Sequence, residues 1–164
     1  MECTVCIRCL DAAIDVENAA REYYERMAGL FSEHRSAAMV FSEMARDEQD
    51  HARMLEKARS NRDHSPAIHG RAEEFRKTLE RLSKLVREHG ARLPRNLDEV
   101  YEFAYQVERS EVNGIYITLT TESLEPAGER GFIVSLIGTH LKRLGRIAEV
   151  YDQDQRRLIT PQNP

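Results

Sequence analysis

Apolar residues recur at helical spacing along most of the chain, and no run shows the period of two that a half-buried strand requires. This periodicity restricts the chain to an all-α fold. Leu10, Ala13, Ile14, Ala20, Tyr24, Ala28 and Phe31 share one stripe of a helix expected over about residues 9–31. Val40, Phe41, Met44 and Leu55 share another, over about residues 36–60. Only a short break at residues 32–35 separates the two, so they form a hairpin. The polar stretch 61–66 then reads as loop, and residues 61–95 form a long crossover. Within it Phe75, Leu79, Leu82 and Val86 mark an accessory helix over about residues 67–88, whose apolar face suits either an interface or a lid. Gly90 and Pro94 end it.

Asn96, followed by Glu99 three positions on, begins a third bundle helix expected to reach about residue 122. Pro126-Ala127-Gly128 marks a turn, and the last long helix is expected over about residues 130–154. The tail, residues 156–164, reads as frayed, and residues 1–8 as a cysteine-bearing segment ahead of the first helix. Connections that run short, long, short give two antiparallel helix pairs, the layout of a four-helix bundle within one domain spanning 1–164.

Charge and composition exclude several functions. Acidic and basic residues are interleaved, with a net charge of -4, which speaks against nucleic acid as a partner. No apolar run is long enough to cross a bilayer. No basic stretch followed by an apolar one opens the chain, so a cytoplasmic location is expected. Cys3, Cys6 and Cys9 are too few and too clustered for a disulfide framework. They are expected to be exposed or partly buried thiols, the alternative being part of an iron–sulfur ligand run that needs a further ligand.

The apolar stripes are interrupted by acids. Burying a carboxylate costs several kcal/mol unless a cation or donor compensates. Yet Glu17 lies between Ala13 and Ala20, Glu48 and His51 occupy one face of the second helix, and Glu108 and Glu111 repeat that spacing in the third. His140 lies between Leu136 and Leu144 in the fourth. The two halves also resemble each other: Val16-Glu17 and Val107-Glu108 are each followed by a tyrosine, Tyr24 and Tyr116, and His51 and His140 are each followed by a leucine at +4. A duplicated helix pair sets two ligand sets face to face. Carboxylate oxygens with some imidazole nitrogen suit iron, and Glu-x-x-His on two helices plus one Glu from each of the others is the usual di-iron bundle arrangement.

With these residues the chain resembles the rubrerythrin family of the ferritin-like superfamily, over nearly its whole length and least in the crossover. The motifs are Glu17 with Tyr24, Glu48-Gln49-Asp50-His51, and Glu108-Arg109-Ser110-Glu111 with Tyr116. The resemblance implies a non-haem di-iron centre ligated by Glu17, Glu48, His51, Glu108, Glu111 and His140. In this pattern Tyr24 and Tyr116 either pack in the core or donate to ligand carboxylates. It further implies an oxidoreductase acting on peroxide or dioxygen in oxidative stress, while related ferritin-like proteins oxidise and store iron. Such bundles commonly pair, so a homodimer or higher homo-oligomer is expected.

Two departures qualify this picture. Where the fourth helix should read Glu-x-x-His it reads Ile137-Gly138-Thr139-His140. Either Glu111 takes the vacant position or one metal position is weakened, leaving one ion or another divalent metal. His140 itself is a ligand or a core histidine bonded to a carboxylate. The cysteines, moreover, do not supply the two Cys-x-x-Cys pairs of a rubredoxin-like module, so a reductase takes electrons from another protein. Besides the oxidoreductase, a non-enzymatic iron-binding or storage protein and a structural bundle with a degraded metal site fit the same sequence.

Overall fold

In the computed structural model the described residues are 4–60, 66–110, 115, 118–119 and 128–162. Most of them are helical, with no strand among them. The elements are α1 (Thr4–Leu30), α2 (Arg35–Ser60), α3 (Pro66–Gly90), α4 (Leu97–Glu108), α5 (Gly128–Val150) and a short α6 (Gln153–Leu158).

Side-chain pairings fix the directions. Asp11 meets Arg59, Glu17 meets His51 and Tyr24 stacks on Phe41, so α2 runs antiparallel to α1. Glu43 and Asp47 pair with Arg146 and Arg143, which makes α5 antiparallel to α2. Tyr23 packs on Phe103 and Tyr24 reaches Glu108, while Leu97 joins the cluster around Leu30, so α4 is antiparallel to α1. α2 and α4 therefore run in the same direction, which the long crossover makes possible. The four helices α1, α2, α4 and α5 form the all-α, ferritin-like bundle expected from the sequence.

The crossover helix α3 is neither a lid nor a free face. It lies along α1 in the same direction: Asp15 accepts from Ser83 and Arg87, Glu22 accepts from Arg87 at 3.0 Å, and Tyr23 packs on His89. Its Phe75, Leu79 and Val86 are buried within the core clusters. Each such side chain contributes about 1.5–3 kcal/mol when withdrawn from water. His89 stacks on Phe103 at 3.6 Å between ring centres.

Several boundaries differ from expectation. α1 begins at Thr4 because Cys6, Cys9 and Leu10 all lie on its buried face, against Leu55, Ala58, Phe75 and Leu79. Cys6 and Cys9 are thus fully buried rather than exposed, while Cys3 lies outside the described residues. Burial pushes the Cys9 thiol up to about 12, against the pull of Arg76. Labelling of Cys9 by a thiol reagent, followed by mass spectrometry, is therefore expected to be on the order of a thousandfold slower in native than in denatured protein. Equal rates would contradict the burial.

Asn96 caps α4 as expected, its side chain accepting from the Glu99 amide at 3.0 Å. The Glu99 carboxylate reaches back one residue further than a capping box requires, to the Arg95 amide at 2.8 Å. α4 stops at Glu108 instead of about 122: the Arg109 amide bonds Tyr105 and Val107 carbonyls, and the Ser110 amide tightens the turn onto Val107 at 3.1 Å. Helical conformation recurs at Ile115, Thr118 and Leu119.

The last long helix ends at Val150 rather than 154, because Asp152 caps a new turn through the Gln155 amide at 2.8 Å. As far as residue 162 the tail is not frayed. Ile159 accepts from the Leu97 amide at 2.9 Å, and the Gln162 amide donates to Leu30 at 2.8 Å, closing the end of α1. The loop 61–65 and the turn around Pro126 lie outside the described residues.

Candidate metal centre

α1, α2, α4 and α5 each turn polar side chains inward at the same level. Glu17, Glu48, His51, Glu108 and His140 are all buried, between 2% and 7% exposed. Helical spacing explains the local placement: Glu48 and His51 are one turn apart on α2, on the stripe that carries Met44 and Leu55.

The distances form one connected network. His51 Nδ1 lies 2.9 Å from Glu48 Oε2 and 3.3 Å from Glu17 Oε2. His140 Nδ1 lies 2.8 Å from Glu108 Oε2 and 3.5 Å from Glu48 Oε1. The two imidazoles stack with centres 5.0 Å apart. Glu17 with His51 and Glu108 with His140 are the equivalent pairs of the two halves, and Glu48 stands between them. The Tyr24 hydroxyl donates to Glu108 Oε1 at 2.6 Å. Glu111 and Tyr116 lie outside the described residues, as does the side chain of Ile137.

The electrostatics show how such a cluster persists. Burial, reinforced by the charges of Glu17 and Glu108 and opposed by His140, holds the Glu48 carboxyl well above the ordinary carboxylate range. Burial also raises Glu17, but its bond to His51 and the charge of His51 outweigh this and lower it. Burial lowers His140, yet Glu48 and Glu108 dominate and raise it to about 9. Burial and the neighbouring Glu108 keep the Tyr24 hydroxyl protonated. Protons on Glu48 and His140 thus neutralise part of a charge that a metal cation neutralises better.

The donor set fits a metal. Ligand atoms of Glu48, His51 and His140 lie within 4.8 Å of one another. Oxygen and imidazole nitrogen donors on opposed helices are the type that divalent iron takes. Sequence reasoning missed Asp47, whose Oδ2 lies 3.2 Å from His140 Nε2 and also pairs with Arg143. The signal was present: Asp47 follows Val40 and Met44 at helical spacing, at the edge of the inner stripe.

A bundle whose helices bring carboxylates and imidazoles together at mid-length defines the ferritin-like class. Residues 8–127 match the family model for rubrerythrin, and the chain belongs to the rubrerythrin family. The match ends before α5, the helix that carries His140 and the departure at Ile137. Searches of curated proteins and of solved structures gave no match.

Proposed function

We propose that the chain is a non-haem di-iron carboxylate protein that acts as an oxidoreductase on peroxide or dioxygen. The observation that carries this reading is the meeting of Glu17, Glu48, His51, Glu108 and His140 in a buried cluster built from four helices. In it Glu48, placed between the two halves, would hold metal together with either pair. Glu17 and His51 would hold one side, and Glu108 and His140 the other, with Glu111 as a further donor. Bound iron supplies the electrons that reduce the oxidant. The chain's own residues bind and orient: Tyr24 fixes one oxygen of Glu108, leaving the other toward His140. Ala20, Phe41, Met44 and Leu144, buried on helices that carry the cluster, belong to the adjoining apolar core.

A separate donor protein returns electrons, and a homodimer or larger homo-oligomer is the working assembly. Among the described residues no helix is long and apolar enough to cross a membrane.

The test is elemental analysis of protein grown with iron, then absorbance on adding peroxide to the ferrous form. Two irons per chain and oxidation faster than that of free iron are expected. A second reading, metal binding without turnover, is favoured by Ile137, which offers no donor where the family pattern has Glu. Stoichiometric metal with oxidation no faster than free iron supports it, whereas absence of metal overturns both.

A further inference from the structure

We propose that the joint where α1, the end of α3 and the start of α4 meet is a binding site for ordered water, held by Tyr23, Glu99 and His89. The site shares no residue with the cluster of acids and histidines and does not rest on the metal-centre reading.

Tyr23 is 4% exposed, and among the described residues its hydroxyl has no hydrogen-bond partner. A buried hydroxyl left unpaired loses the bonds it makes in solvent, so such groups pair with protein or with ordered water. Burial, reinforced by the charge of Glu99, keeps the hydroxyl protonated, so it has a proton to donate.

Packing keeps the protein from closing this bond by itself. Tyr24 meets the Tyr23 ring edge-on at 5.3 Å and Phe103 does so at 5.2 Å. Gly90 comes so near that a Cβ there would lie 3.4 Å from Tyr23 Cδ2. Glu99 is held as well, since its Oε2 accepts from the Arg95 amide at 2.8 Å and from Arg95 Nε at 3.2 Å. Neither side chain is free to swing to the other, although both line one cavity.

That cavity measures about 30 Å³. A water needs roughly 10–15 Å³ of such space and about two to four polar partners. One or two waters therefore fit, and nothing larger. Tyr23 offers a donor, the Glu99 carboxylate an acceptor and His89 a ring nitrogen. His89 stacks on Phe103 only 4° from parallel, which occupies its face and leaves its nitrogens at the edge. Burial lowers its hold on a proton, so the imidazole is neutral at neutral pH. Glu99 repels an anion, and its tie to Arg95 leaves little charge for a cation. A neutral molecule that both donates and accepts suits the site.

Metal-free wild-type protein is the sample, which keeps the outcome separate from that of the iron test. A crystal structure is expected to show a water about 2.7–3.0 Å from Tyr23 Oη and within reach of Glu99 or His89. In solution, NOEs from water to the ring protons of Tyr23 and His89 are expected to carry the sign of long-lived, internal water. Tyr23→Phe keeps the ring and removes the donor, and is expected to lose that water and the NOE at residue 23.

Absence of either the ordered water or the long-lived NOEs in the wild type overturns the proposal. So does a Tyr23 hydroxyl bonded directly to a protein atom, or a water that keeps its place in Tyr23→Phe. Density that anomalous scattering identifies as an ion overturns the assignment to water. If Tyr23→Phe does not fold, the wild-type structure and NOEs decide alone.

Discussion

Replacing Glu48 with Gln is expected to leave the metal-free fold at least as stable as the wild type at neutral pH, while abolishing the stabilisation that iron(II) confers. Burial and the charges of Glu17 and Glu108 raise the Glu48 carboxyl far above its ordinary value of 4.5. The native state therefore keeps a proton that the unfolded chain releases. An acid raised in this way contributes a loss of stability that grows as pH climbs above 4.5 toward its folded value. Gln has the shape of the protonated acid and does not titrate, so it escapes that loss. What it lacks is the negative oxygen that binds a cation. For a ligand at a hundred times its dissociation constant the wild type gains about 2.7 kcal/mol. For a chain of this size that is a rise in melting temperature of roughly 5–10 °C. Thermal melts with and without iron(II) decide the matter. A variant that melts far below the metal-free wild type refutes the protonated Glu48. An equal iron-induced rise in both proteins refutes its role as a ligand.

Phe41→Ala is expected to cost about 3–5 kcal/mol of stability, a fall in melting temperature on the order of 10 °C. Phe41 is fully buried and sits between Tyr24, with rings nearly parallel at 6.4 Å, and Phe31, also at 6.4 Å. Removing it opens a cavity beside the residue that holds Glu108. Iron affinity should fall with stability, because Tyr24 loses the ring that fixes its orientation. Denaturant unfolding gives the first quantity and metal titration the second. A loss below about 1 kcal/mol would mean that the surrounding helices close over the gap.

Much of the bundle was legible because its helices carry regular apolar stripes: α2 was placed to within a residue or so, and Asn96 announced the start of α4. The acids that interrupt those stripes pointed to Glu17, Glu48, His51, Glu108 and His140, which the structure brings together. The errors have physical causes. Residues 1–8 read as a cysteine-bearing segment ahead of the first helix, yet Cys6 packs beside Cys9 like a small apolar side chain and extends α1. The tail has the composition of a loose end, but two backbone hydrogen bonds to distant residues hold it, and local patterns do not encode such bonds. α3 read as an accessory helix suited to an interface or a lid, although its apolar stripe and its pairing with Asp15 and Glu22 fasten it to α1. Asp47 was overlooked because its partner, His140, lies on another helix.

The early end of α4 has an electrical corollary. Peptide dipoles along a helix add to about half a negative charge at its C-terminus. α4 terminates at Glu108, so that partial charge lies on the backbone that carries one of the buried acids. A metal ion bound there would be attracted by main-chain carbonyl groups as well as by side chains, an effect of about 0.3–1 kcal/mol. That contribution survives any substitution at residue 108, since it belongs to where the helix stops.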